Sequence, residues 1–461
     1  MRSCSSQHWT PISPLSAIHV PLCGTPGQVP NGSDAQWRAR QERGRPAPAP
    51  HIRRSRSTGG ERHETCELRP YGRQWRDNKV ALGGVPLTHA AIVGWGKCLP
   101  PAVLTNHDLA TFLPTDDEWI TTRTGMKERR ISHVPGIELA ITASQRAIAC
   151  AGMRGEDIDL VIYGSCSNDE TVPNSASGVQ QRIRATHAAA FDVNTACTSF
   201  MYGLSIGSSM IKSGIVKNAL VIGVELISQY MDWDNRNVAV LFGDGAAAMV
   251  LQASEHETGV IAEKLQCYAD SRQILRVRGM GTMYANLGVQ FGQTRWDFDG
   301  QEIFRKAVQG MSEASLDVMR RAGVTMSDIA LVVPHQANLR IIDAVAKRAG
   351  AGPDKVYLTV RKYGNMSSAT APVALVEAVE EGRVPPGGLV LIPAFGGGLT
   401  LSAHLIRWGE RMTPLRPSDA ELPPCPKSAL ELVNEIRAQK KLGEAEASRF
   451  ETLRFVENSG E

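Results

Sequence analysis

The chain has 461 residues, 42% hydrophobic and 21% charged, a balance that fits a soluble globular protein and excludes collagen, coiled coil and wholesale disorder. No apolar run reaches the roughly 18 residues of a membrane-spanning helix, because stretches such as Ala219 to Val224 and Leu389 to Ile392 are interrupted by Gly, Pro or charge. The net charge of +3 is uneven: residues 1–85 carry 13 Lys+Arg against 6 Asp+Glu, a net of +7 that leaves −4 for the rest, so the folded body is not expected to bind nucleic acid.

Residues 1–85 are rich in Pro, Arg, Ser and Gly and show neither helical nor strand period. Such a segment buries too little apolar area to offset its ordering entropy, so it reads as a disordered leader. Two origins stay open: an organelle transit peptide, or an over-extended gene start with the true initiator a non-Met codon near Val80 or Val85, since no Met lies between Met1 and Met126. The nine cysteines are scattered and form no C-x-x-C pair. That pattern fits reduced thiols in a cytoplasm and gives no expectation of a zinc site or any other metal.

From 86 to 408 apolar β-branched runs alternate with helical patterns. Strands are expected at Ala91–Gly94, Leu160–Tyr163, Ala190–Val193, Ala219–Ile222, Ala246–Leu251, Ala330–Val333, Leu389–Ile392 and Leu399–Ile406, with helices at Glu138–Ala151 and Phe304–Ala322. The alternation predicts an α/β fold with buried sheets. An internal repeat sharpens this. Ala151-Gly152 is followed by Asp157-Ile158-x-Leu160-Val161, and Ala322-Gly323 by Asp328-Ile329-x-Leu331-Val332, an offset of 171 residues. Two similar halves follow, 86–258 and 259–408. Residues 409–461 open on prolines and then turn helical, with Ser428 and Glu431 spaced as a capping box and Ala429, Leu432, Val433 and Ile436 on one face. This predicts a helical appendage on the body or across a dimer partner, with a solvated tail as the alternative.

Three segments carry chemistry. Asp192 to Gly203 runs from a strand into a small-residue helix, putting Cys197 at a helix N-terminus, where free N–H groups and the dipole favour thiolate; nucleophile and buried structural cysteine are both consistent with the segment. His335 follows a buried strand in Val332-Val-Pro-His-Gln-Ala-Asn338, a position where α/β proteins display functional groups. Asn365 sits at a Gly-led turn, where an ordinary N-cap is the competing reading.

Together these segments resemble the β-ketoacyl-acyl carrier protein synthase III family of the thiolase superfamily. The likeness spans roughly 88 to 408. It also includes Asp117 to Ile131, Phe242-Gly-Asp-Gly-Ala246, Gly300-x-x-x-Phe304, Pro334 to Arg340 and Ala394-Phe-Gly-Gly-Gly398. The resemblance implies a thiolase-like five-layered αβαβα fold of two duplicated halves, a homodimer, and no bound cofactor, acyl-CoA being a substrate. It implies that Cys197 takes an acyl group from acyl-CoA, and that His335 and Asn365 serve decarboxylative condensation with malonyl-acyl carrier protein. Two neutral N–H donors suit that step, because losing CO₂ generates an enolate whose charge must be stabilised. By the same resemblance the N–H groups of Cys197 and Gly397 hold the thioester oxygen, Phe304 is a gate, and Asn338 orders the site beside His335. Trp119 and Arg123 hold the CoA nucleotide, an indole for the adenine and a guanidinium for phosphate. Arg305, Arg340 and Lys347 face the acidic carrier protein, with a solvated basic face as the alternative.

Met366 and the stretch Tyr230 to Arg236 depart from the family's commoner forms and bear on the primer pocket. Acetyl-CoA is the expected primer and a medium- or longer-chain acyl-CoA the alternative, alongside a specialised condensing enzyme or acyltransferase. A degradative thiolase would need a second cysteine late in the chain, which 394–398 lacks. The order Cys, His, Asn is also that of papain-like peptidases, but Ala196-Cys197-Thr198 does not match their signature.

Overall fold

The computed structural model describes residues 88–280 and 294–447, with side chains through 442. The expected leader lies outside the described residues. Within them, nine strands form one mixed sheet in the order β11-β12-β13-β8-β1-β7-β6-β4-β5. They are β1 (His89–Cys98), β4 (Leu160–Gly164), β5 (Ala189–Val193), β6 (Asn218–Leu226), β7 (Asp244–Ser254), β8 (Gly259–Cys267), β11 (Ile329–Val332), β12 (Leu389–Gly396) and β13 (Thr400–Arg407). Two small ribbons pair β2 (Ala102–Thr105) with β3 (Glu128–Ile131) and β9 (Leu275–Arg278) with β10 (Arg295–Phe298).

The large sheet has two wings, joined only at the parallel pair Ala90↔Gly259 between β1 and β8. In one wing β4 and β6 are parallel and β7 returns antiparallel; in the other β11 and β12 are parallel and β13 returns antiparallel. This is the sequence repeat made visible. Each copy begins with a helix ending at a left-handed glycine, Gly152 at φ 70° or Gly323 at φ 68°, and leads into β4 or β11.

Burial explains the layering. Between the wings lie the helices Ser199–Lys212 and Thr370–Glu380, whose Phe200, Leu204, Val373 and Val376 share one apolar core with Ile162 and Val221 on one side and Val390 and Ile392 on the other. Helix Gly136–Cys150 covers the outer face of the first wing and helix Gly300–Ala322 that of the second. Helix, sheet, helix, sheet, helix make five layers, the thiolase-like arrangement.

After Trp408 the chain turns back over the first wing as a strap. It is held chiefly to backbone: Arg411 donates to the Val93 carbonyl while its guanidinium lies 4.9 Å from the Trp95 ring, and Arg416 donates to the Met153 carbonyl. The Leu415 N–H donates to Cys150 O at 3.0 Å, and from the body Arg146 Nε donates to Ala420 O at 3.0 Å. The strap ends in helix Ala429–Ala447, capped by Ser428 and Glu431 in the expected box. Its Ala429, Leu432 and Val433 are buried among Leu104, Tyr230 and Trp233. The appendage thus lies on the body.

Candidate active site

Cys197 lies in a 3-10 turn, Ala196–Thr198, between β5 and the central helix Ser199–Lys212. Ala196 has a φ of 51°, one of three non-glycine residues with positive φ among the described residues. Such backbone costs energy and persists where surroundings enforce it. Here Thr195 O accepts from Thr198 Oγ1 and from Thr400 Oγ1, each at 2.8 Å, tying the turn to β13. Gly396 packs so closely that a Cβ there would stand 2.8 Å from Cys197 N, so only glycine lets the end of β12 reach the nucleophile. The backbone N–H groups of Cys197 and Gly397 and the Ser367 side chain are the neighbours that favour the ionised form of the Cys197 sulfur. These contacts lower the thiol's pKa, but burial dominates and pushes it up to about 11. The helix terminus therefore does not leave a standing thiolate, and the sequence expectation on that point is corrected.

His335 follows β11, with its N–H donated to Pro393 O at 2.9 Å and its ring 2% exposed. Burial lowers its pKa to about 4, so the imidazole is neutral at ordinary pH. The loop is fastened by the next residue. Buried Gln336 donates to Pro334 O at 2.7 Å and Tyr357 O at 3.0 Å, and accepts from the N–H groups of Thr359 and Val360. Sequence reading gave Gln336 no role, because three of its four partners, Tyr357, Thr359 and Val360, sit more than twenty positions away.

Asn365 is gripped on its backbone between Leu241 and Gly243. Its Oδ1 accepts from Ser367 N–H at 2.8 Å and Thr370 Oγ1 at 3.3 Å. With the amide oxygen engaged, the NH₂ is the group left to serve the cavity. The side chain thus does cap the turn, a strained one with Ser367 at a φ of 46°, and it does so through Oδ1 alone.

Cys197, His335 and Asn365 all line one cavity of about 1270 Å³, together with Trp119, Arg123, Phe304 and Asn338. At one end the Arg123 guanidinium lies 4.6 Å from the Trp119 ring, and that of Arg236 lies 4.7 Å from the same ring. Arg236 was not singled out from the sequence; it belongs to the stretch Tyr230 to Arg236, which was connected with the primer pocket rather than with Trp119. Asn338 caps helix Leu339–Ala349 by accepting from Arg340 N–H at 2.9 Å and donates to Arg123 O at 3.0 Å, tying the indole end to the His335 loop. Arg340 and Lys347 are exposed on that helix, while Arg305 is paired with Glu302. Among the described residues no group of His, Cys, Asp and Glu could hold a metal ion.

A half-buried cysteine at the head of a central helix, lining one cavity with a neutral imidazole and a carboxamide, on a five-layered duplicated fold, defines a thiolase-like condensing acyltransferase. The family model described as 3-oxoacyl-[acyl-carrier-protein (ACP)] synthase III matches residues 191–269, and that for its C-terminal part matches 319–408. The chain is 50% identical over 346 residues to a β-ketoacyl-[acyl-carrier-protein] synthase III 2 of Vibrio cholerae, covering 75% of this chain and 96% of that one. It is 43% identical over 324 residues to a synthase III of Roseiflexus castenholzii, covering 69% and 98%. The crystal structure of 3-oxoacyl-[acyl-carrier-protein] synthase III from Aquifex aeolicus superposes with a TM-score of 0.65 at 41% identity, over 69% of this chain and all of that one. The chain belongs to the β-ketoacyl-[acyl-carrier-protein] synthase III family, whose members perform the condensation that initiates fatty acid synthesis.

Proposed function

We propose that this enzyme joins an acyl-CoA primer to malonyl-acyl carrier protein in two half-reactions at the single cavity. In the first, Cys197 attacks the acyl-CoA carbonyl, CoA departs as its thiol, and the N–H groups of Cys197 and Gly397 hold the thioester oxygen. In the second, the malonyl thioester loses CO₂ while His335 and Asn365 donate to the developing enolate oxygen. The carbanion then displaces Cys197 from the acyl carbonyl to give a β-ketoacyl carrier.

One observation carries the reading. Asn365 Oδ1 is occupied by Ser367 and Thr370, and His335 is neutral, so the wall opposite Cys197 can supply two uncharged N–H donors. Such donors stabilise charge that develops without neutralising a proton in the ground state. Trp119 and Arg236 together with Arg123 suit an adenine and its phosphates, and Phe304 lines the passage. Exposed Arg340 and Lys347 suit an acidic carrier protein. Acetyl-CoA is the primer of this reading; the relatives' shared name favours condensation over acyl transfer to another acceptor. We further assign the enzyme to a cytoplasmic homodimer; the dimer is supported by β5, which among the described residues is an edge strand paired with β4 alone and so has a free edge for a second copy. Among the described residues no helix is long and apolar enough to cross a membrane.

The test is mass spectrometry after incubation with acetyl-CoA or octanoyl-CoA and then malonyl-acyl carrier protein. An acyl adduct on Cys197, absent in Cys197→Ala, followed by release of a β-ketoacyl carrier, is expected. No adduct from either primer overturns the first half-reaction. An adduct that malonyl carrier cannot discharge overturns the second.

A further inference from the structure

The helix Ala429–Ala447 lies beyond residue 408, where the family match stops, and neither half-reaction uses it. It does not rest on a remote face of the body. Its buried Leu432 and Val433 pack with Tyr230 and Trp233, in the segment 227–235 that delivers Arg236 to the indole end of the cavity. Lys440 Nζ donates to Thr294 O at 3.3 Å and Thr294 Oγ1 donates to Tyr230 O at 2.6 Å, which fastens the same segment a second time.

Arg437 is where the helix reaches both sides of that end. Its Nη2 donates to Asp234 Oδ1 at 3.0 Å, two residues before Arg236, and its guanidinium lies 4.4 Å from the ring of Phe112. Phe112 stands edge-on to Trp233 with centroids 6.3 Å apart, and it belongs to the segment 111–116 that runs into the Trp119 helix, Asp117–Thr124. The two segments meet again where Arg236 Nη1 donates to Pro114 O at 2.7 Å. One planar cation thus ties the segment carrying Arg236 to the segment carrying Trp119, by an ion pair on one side and a ring contact on the other.

We propose that the C-terminal helix, through Arg437 as a positioning residue, sets the geometry of the cavity end that takes the CoA nucleotide. Arg437 does not line the cavity; it acts on it through Asp234 and Phe112. The guanidinium groups of Arg123 and Arg236 both lie against the Trp119 ring, at 4.6 and 4.7 Å. A purine stacking on that ring has to fit beside them, so the spacing of the two segments governs how well it is held. This rests on the reading of Trp119, Arg123 and Arg236 as the site for adenine and its phosphates.

The experiment compares two primers that carry the same acyl group, acetyl-CoA and acetyl-pantetheine, the second lacking the nucleotide. Steady-state kinetics at saturating malonyl-acyl carrier protein are measured on the full chain for wild type, Arg437→Ala, Asp234→Asn, Arg236→Ala and the double variant Arg236→Ala/Arg437→Ala. Arg437→Ala is expected to raise KM for acetyl-CoA about threefold, the worth of a partly exposed ion pair and ring contact, with kcat near wild type. KM for acetyl-pantetheine should not move. Asp234→Asn should raise KM for acetyl-CoA roughly twofold. The Asp234 side chain is 69% exposed, so that variant decides the matter if Arg437→Ala does not fold. With Arg236 already removed, Arg437→Ala should add nothing.

An equal rise of KM for both primers, a fall in kcat at unchanged KM, or a full further rise in the double variant would mean that the helix only stabilises the fold, and each overturns the proposal. Unchanged KM in both single variants overturns it as well. The reading beneath it fails in a different way: Arg236→Ala would then raise KM equally for the two primers, and the nucleotide would not sit at the indole end.

Discussion

The two walls of the cavity are built on different principles. The Cys197 wall is strained and acidic underneath: Ala196 and Ser367 hold positive φ, the thiol is pushed up to about 11, and Glu225 lies behind it. The opposite wall, His335 and Asn365, carries no ionised group and owes its order to hydrogen bonds through Gln336, Ser367 and Thr370. One wall must move a proton to make a nucleophile. The other must only present donors, already oriented, to charge that appears and disappears during reaction. A single surface doing both would compromise one of them.

The largest expected effect comes from deleting the reactive sulfur: Cys197→Ala should abolish the acyl adduct in intact-mass spectra, and a surviving adduct would move the nucleophile elsewhere. Next, His335→Ala or Asn365→Ala should each lower discharge of pre-acylated enzyme by malonyl carrier by roughly 10²–10³-fold, the usual cost of one oxyanion donor. Acylation of Cys197 should stay near wild type in both; equal losses in the two half-reactions would erase the distinction between the walls. Acid sharpens it further. Because burial depresses His335 to about 4, its neutral form persists as pH falls, and condensation by pre-acylated enzyme should show no loss at the ordinary histidine value. The decline belongs near pH 4, and an inflection at about 6.5 would contradict it. The smallest effect is remote from both walls: Trp119→Ala should raise KM for acyl-CoA roughly fivefold, the worth of one stacking contact, and leave discharge by malonyl carrier unchanged.

Much of this was legible from sequence where local pattern governs. The strands β1, β4, β6, β7, β12 and β13 announced themselves as apolar β-branched runs, and the 171-residue repeat anticipated the matching β4 and β11. β8 did not, because Glu263 and Lys264 interrupt it; in the fold Glu263 meets buried His404 and Lys264 reaches Asp317. Cys197, His335 and Asn365 each sit at a turn that the local sequence marks, but it was the resemblance to the family that joined them into one site, and the fold brings all three to one cavity. Glu225 carries no such mark. It reads as the end of an apolar strand, and its partners lie 58 to 143 positions away. Helix position correctly located the thiol but not its ionisation, since desolvation depends on atoms that only the tertiary fold assembles.

The strap has a consequence for how this chain can vary. Its clasps from Arg411, Arg416 and the Leu415 N–H all close on main-chain carbonyls, those of Val93, Met153 and Cys150. A main-chain carbonyl is the same whatever side chain accompanies it. The body can therefore exchange residues at Val93 and Met153 without losing these bonds, whereas Cys150 also meets Arg411 through its sulfur at 3.8 Å and the two arginines on the strap have no such latitude.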